Sequence, residues 1–266
     1  MKIPVFLFIV LFTVCSLTAL SADEFLVLSS TPSEEAAGLC FVEPDRETVI
    51  VIPDEAGSMA KYAASLLQTN IERSTQHQAK LLTQEESHSG GFLAHAIQLV
   101  VVGRSLQQTP LRDTFTIQAS RDWGRNIIRV SSPSERGLIR GAAELLRRTV
   151  GAEWFPPRTH HCYFGRYNGV SQQGRMKLTT YLERRKRLVW PDTLNPFTHT
   201  DLFQDQGLLI DRFQVHPSLI DWSLLQGIDL LAVFLQTSPQ KGNLFIPVEG
   251  DEIVRLRKVF DHAHEL

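Results

Sequence analysis

Residues 134–157 read Ser134-Glu135-Arg136-Gly137-Leu138-Ile139-Arg140-Gly141-Ala142-Ala143-Glu144-Leu145-Leu146-Arg147-Arg148-Thr149-Val150-Gly151-Ala152-Glu153-Trp154-Phe155-Pro156-Pro157. The Ser134 hydroxyl is placed to cap a helix start, and Leu138, Ala142, Leu145, Leu146 and Val150 recur at three- and four-residue spacing as an apolar stripe. Gly151 supplies the left-handed stop that commonly closes a helix, and the prolines bar its continuation. A single amphipathic helix of this kind needs a sheet or a second helix to cover.

Upstream, that sheet is written in short apolar runs. Val49-Ile50-Val51-Ile52 is β-branched and stopped by Pro53-Asp54, as a buried strand is. Ala60, Ala63, Ala64, Leu67 and Ile71 share one face of a predicted helix, with Lys61, Gln68 and Glu72 elsewhere. The polar, glycine-containing stretch 84–91 reads as a surface loop, and residues 96–102 as the strongest strand, closed by Gly103. Residues 114–119 and 126–130, separated by the turn-prone 121–125, predict an antiparallel hairpin. Residues 23–44 have no sustained period and predict an irregular lead-in or one edge strand. The pattern predicts one α/β domain over residues 23–157, an α+β sandwich with a mixed sheet and a core beginning at 48.

Downstream, residues 158–175 are rich in Gly, His and aromatic residues without a period and read as a connector. Residues 207–211 form a predicted strand, 217–225 a helix, 230–235 a strand, and 251–266 an amphipathic helix with Ile253, Leu256, Val259, Phe260 and Ala263 inward. Strand, helix, strand, helix implies βα units with a parallel sheet, and residues 176–266 are expected to be the first such units of an incomplete barrel. The exposed edge of a partial barrel predicts self-association, or trimming by proteases back to near Arg175.

The remaining global features bound the partners. The formal net charge of the 266-residue chain is −2, which leaves no basic surplus to release counterions from a polyanion, so nucleic acid is not an expected partner. Lys2, the apolar run 5–14 and the small residues Ala19-Leu20-Ser21-Ala22 read as a signal peptide over 1–22, with a single membrane anchor as the competing reading. The expectation is a secreted or extracytoplasmic protein without a membrane segment after cleavage. Removing the leader with Cys15 leaves Cys40 and Cys162, which an oxidising compartment could join; two separate thiols are the alternative. No cofactor and no metal are expected: His160-His161-Cys162 sits in the connector, where adjacent side chains do not converge on one ion.

The stretch from Ser134 to Leu146, continuing through Gly151-Ala152-Glu153-Trp154-Phe155-Pro156-Pro157, resembles the end of a domain that precedes the catalytic barrel in several sugar-cleaving families, α-glucuronidases and β-hexosaminidases among them. Gly207-Leu208-Leu209-Ile210-Asp211 looks like the first barrel strand, and Trp222-Ser223-Leu224-Leu225-Gln226-Gly227-Ile228-Asp229 like the turn from helix to second strand. The resemblance spans about residues 48–266. It implies an α/β sandwich domain beside a truncated (β/α)8 barrel, and carbohydrate as the partner.

Glycoside hydrolysis needs a carboxylic acid for the leaving oxygen and a second group at the oxocarbenium-like centre. In the resembling families the acid lies on later strands than the two present, so no catalytic residue is assigned. Barrel enzymes hold substrate at the C-terminal ends of their strands, which makes Asp211, Arg212 and His216 after the first strand, and Gln236 and Thr237 after the second, the candidate substrate contacts. Hexosaminidases commonly carry an Arg immediately before the Gly of the first strand, where Gln206 stands here. Arg136 and Gly137 are expected to be structural, and Trp154 and Phe155 to fill an interface between domains. The basic run 184–187 is expected on an exposed face. The reading is a glycoside-hydrolase-like protein acting on glycosidic bonds of poly- or oligosaccharides, a glycosidase in a full-length version and inactive as this chain alone. The alternatives are a non-catalytic carbohydrate-binding or interaction module, and a truncated inactive gene product.

Overall fold

The structure, a computed structural model, describes residues 25–28, 37–89, 94–103, 114–155, 179–200, 207–211, 216–228, 230–234 and 250–265. The expected signal peptide, the whole connector with Cys162, and Arg212, Gln236 and Thr237 lie outside these residues. In chain order the strands are β1 (Phe25–Leu28), β2 (Gly38–Val42), β3 (Thr48–Ile52), β4 (Lys80–Thr83), β5 (His95–Val101), β6 (Phe115–Asp122), β7 (Arg125–Ser132), β8 (Glu153–Phe155), β9 (Thr179–Glu183), β10 (Leu188–Pro191), β11 (Phe197–His199), β12 (Gly207–Asp211) and β13 (Leu230–Phe234). The helices are α1 (Ser58–Thr75), α2 (Gln84–Ser89), α3 (Glu135–Val150), α4 (Pro217–Gln226) and α5 (Asp251–Glu265).

A six-stranded mixed sheet in the order β11-β6-β7-β5-β3-β4 forms the centre. β4, β3, β5 and β7 run parallel, while β6 and β11 are antiparallel additions at one side. The burial pattern follows from this. β3 is buried at every residue, as a central parallel strand must be, with Ile50 and Ile52 in the main core and Val49 and Val51 in a second cluster. β6 alternates instead, sending Phe115, Ile117 and Ala119 into the main core and leaving Gln118 and Ser120 exposed.

α1 and α3 pack against each other and fill that core with the stripes expected from sequence. Ala60, Ala63, Ala64, Leu67 and Ile71 of α1 and Leu138, Ala142 and Val150 of α3 are completely buried. Ser134 Oγ accepts the Gly137 N–H at 3.1 Å, and Gly151 closes α3 with φ +59°. Gly137 carries a close approach to the sheet, since a Cβ there would lie 2.7 Å from the Thr114 carbonyl oxygen. Gly57, the N-cap of α1, offers no side chain. Glu135 supplies the missing cap from α3, its carboxylate accepting the N–H groups of Gly57 at 2.9 Å and Ala60 at 3.3 Å.

Three findings depart from the sequence reading. Residues 84–89 form a short helix rather than a loop, because Thr83 and Glu86 make a capping box: Glu86 N donates to Thr83 Oγ1 at 3.3 Å and Thr83 N to Glu86 Oε2 at 2.8 Å. The lead-in contains two strands, β1 and β2. The chain also returns to the first unit after residue 157: β9 lies between β1 and β8, β10 pairs with β2, and β11 forms the edge of the main sheet. Asn195 prepares that edge by donating to the Ala119 carbonyl at 2.9 Å and accepting its N–H at 2.8 Å through one side-chain amide. Beyond it, β12 and β13 pair in parallel with α4 between them, as the periodicity predicts.

Candidate functional site

The end of β12 is the first place to look. Asp211 closes that strand in register with Phe234, the last residue of β13. Arg212, Gln236 and Thr237 lie outside the described residues. His216 is the N-cap of α4: its backbone is extended, and Nδ1 accepts the Ser218 N–H at 3.2 Å. Together with Pro217 at the first helical position it starts the helix, so this face of the imidazole is already engaged.

α4 is fastened to the first unit at its other end. Arg140 donates to the Leu225 carbonyl in the last turn of α4 at 2.9 Å, and Arg136 to the carbonyl of Ile228, two residues past the helix, at 3.2 Å. The last-turn carbonyls of a helix lack helical partners and carry the negative end of its dipole, which favours the Arg140 cation there. Trp222 Nε1 adds a bond to the Trp154 carbonyl at 3.3 Å. Trp154 itself is buried, with the Arg147 guanidinium 5.7 Å from its ring centroid. Trp154 belongs to the main core, and its carbonyl is what meets α4.

Two constellations resemble catalytic groups and have structural roles. His95 is completely buried, with Nε2 2.9 Å from Glu43 Oε1 and Nδ1 accepting the Asn126 N–H at 3.1 Å. Both ring nitrogens are engaged within the protein, so the buried imidazole ties Glu43, just after β2, to β5 and β7. Sequence reasoning missed it because a lone His at a strand start carries no spacing signal. Tyr62 of α1 and His262 of α5 both face Asp221 of α4; His262 Nε2 lies 2.9 Å from Asp221 Oδ1. Burial, and then the Asp221 charge, push the Tyr62 phenol far above its ordinary range, so it stays neutral.

Cys40 lies on β2, its thiol 3.4 Å from the Val42 carbonyl, and burial followed by the Glu43 charge raises its pKa. Such a thiol is a weak nucleophile. Its expected partner Cys162 is outside the described residues. Among the described residues there is no cluster of three metal-ligating side chains, and no helix is long and apolar enough to cross a membrane.

A concavity lies elsewhere, on the sheet face opposite α1 and α3. It has a volume of about 420 Å³ and is walled by Val49, Val51, Leu82 and Ala96 on one side and by Gln98, Gln118, Arg125 and Arg129 on the other. Sequence reasoning did not find it, since its residues come from five strands whose order only the fold reveals.

No family model matches the chain, and no curated protein does. Among solved structures the chain is similar to a GH138 enzyme targeting pectin rhamnogalacturonan II, with 10% sequence identity and a TM-score of 0.44. The match covers 82% of this chain and 23% of that one, so the chain spans about a quarter of the length of that enzyme.

Proposed function

We propose that this chain carries an α/β unit of a secreted glycoside-hydrolase-like protein, standing beside a (β/α)8 barrel whose first βα units begin at β12, after β9, β10 and β11 have completed the α/β unit. The observation that carries the reading is the joint between α3 and α4. The stretch that resembles the sugar-cleaving families, residues 136–157, is the stretch that holds the parallel β12-α4-β13 unit, through Arg136, Arg140 and the Trp154 carbonyl. In a parallel barrel the strand ends form the site, so Asp211 would stand at its rim, with the acid and its companion group supplied by later strands. The partner is carbohydrate.

The test is the reading frame beyond the codon for Leu266 and the longer product it encodes. Further βα units with a carboxylate at a later strand end, and release of reducing ends from an oligosaccharide that stops when that carboxylate becomes an amide, are the expected results. A stop codon at that point, or a longer product that leaves oligosaccharides intact, overturns the glycosidase reading.

A further inference from the structure

The concavity on the open sheet face has a polar row with an unusual order. Val51, Gln98, Arg129 and Gln118 are register partners across β3, β5, β7 and β6, so one straight line runs from an aliphatic group through an amide and a guanidinium to a second amide. Gln98 Oε1 accepts the Arg129 Nε–H at 3.2 Å, which fixes the guanidinium across two strands. The edge formed by its two Nη groups is left without a partner among the described residues, and that edge is the fork that binds a carboxylate through two parallel hydrogen bonds. Gln118 is exposed beside it, and its side-chain amide makes no hydrogen bond among the described residues.

Charge favours an anion here. Among the residues lining the concavity, Arg125 and Arg129 are cationic, and none is Asp or Glu. Asp122 lies 3.6 Å from Arg125 and offsets part of its charge, which makes Arg129 the main fork. The aliphatic side is packed among its own neighbours, with Val49, Val51 and Ala96 at most 5% exposed, so the accessible part is the polar row. A ligand that suits that row has a carboxylate at one edge and hydroxyls that side-chain amides can both donate to and accept from.

We infer that the open face of the six-stranded sheet is a non-catalytic binding site for an acidic sugar residue, with the Arg129 Nη edge on its carboxylate and Gln98 and Gln118 beside its hydroxyls. The inference rests on carbohydrate as the partner, but not on the barrel or on any hydrolysis.

The test is direct titration of the full chain, by calorimetry or by nuclear magnetic resonance of the arginine side chains, with two disaccharides that differ only in glucuronate against glucose. The glucuronate form is expected to bind about tenfold more tightly, and Arg129→Ala to remove about that tenfold, the scale of one charge-assisted bidentate contact. Arg129→Lys restores only part of it, because an ammonium lacks the fork. The side chain is exposed on its strand, so unchanged circular dichroism is expected for both variants. Equal binding of the two disaccharides, or no response to Arg129→Ala, overturns the site. Equal displacement by acetate or by inorganic phosphate overturns the sugar assignment. Binding measured this way does not depend on cleavage, so failure of the glycosidase reading and failure of this site are separate outcomes.

Discussion

Glu144 shows how a single carboxylate in α3 organises two cations and two aromatic rings. Its side chain is only 11% exposed, and it accepts hydrogen bonds from Arg148 Nε at 2.7 Å and from Arg147. Held there, Arg147 faces the Trp154 ring and Arg148 lies 5.4 Å from the centroid of Phe197, so the carboxylate links the helix to β8 and to the edge strand β11. Burial raises the pKa of Glu144, but the hydrogen bonds and charges of Arg148 and Arg147 outweigh it and hold the group below its ordinary value of 4.5. Folding therefore favours the ionised form. The sign follows: this stabilisation is complete above the unfolded value and is lost as pH falls through the lower folded value. Glu144→Gln should cost about 1 kcal/mol at neutral pH, the difference between a charge-assisted and a neutral hydrogen bond. It should also flatten the decline in stability below pH 4.5, measured as urea midpoints across the acid range. An acid limb identical to that of the parent protein would show that the pair of arginines does not act through this group. None of this was legible in the sequence, where Glu144 is one acid in a helix and only the neighbouring strands reveal which face it occupies.

At the scale of elements, regular periodicity was readable and tertiary dependence was not. α1 announces itself through three- and four-residue spacing, α3 through spacing with its Ser134 cap and closing Gly151, and the hairpin β6-β7 through two strand runs on both sides of a turn. β10 and β11 are only four and three residues long, and what makes them strands is the partner each finds, β2 and β6. The capping box of α2 was present as Thr83-Gln84-Glu85-Glu86, yet without an apolar stripe the segment reads as loop. The candidate site divides in the same way: the strand-end residues follow from position in a βα unit, whereas the polar row of Gln98, Arg129 and Gln118 requires the strand order. The joint between α3 and α4 tests how far one element depends on another. Replacing Arg136 and Arg140 together with Ala removes the bonds to the Leu225 and Ile228 carbonyls and leaves those carbonyls short of donors, a loss of about 1–3 kcal/mol in docking. Hydrogen exchange of the α4 amides should quicken about tenfold or more while the amides of α1 keep their protection. Unchanged exchange in α4 would mean that Trp222 and the apolar contacts of Leu224 and Leu225 hold the helix without the arginines.

For the whole molecule, the decisive fact is where the first folding unit ends. A pattern read along the chain places its boundary at residue 157 and predicts trimming near Arg175. The structure gives the unit three more strands beyond that point. Leu182, Leu188 and Trp190 of those strands are buried in the main core, Trp190 completely, and β11 covers the edge of β6. Burial of each such side chain contributes about 1.5–3 kcal/mol, and a domain has only about 5–15 kcal/mol to lose. A chain ending at 175 lacks all three and exposes the β6 edge, whereas a chain ending at 200 keeps them and loses only β12, α4, β13 and α5. The fragment 23–200 should therefore unfold cooperatively in urea with its near-ultraviolet circular dichroism intact, and fragment 23–175 should show neither. Limited proteolysis of the full chain should accordingly leave β9, β10 and β11 bound to the core even after a cut between residues 157 and 175, because their strand pairings do not depend on the covalent link. Cooperative unfolding of 23–175 at the same midpoint as 23–200 would return the boundary to residue 157 and make the three strands ornaments of the sheet, not parts of it.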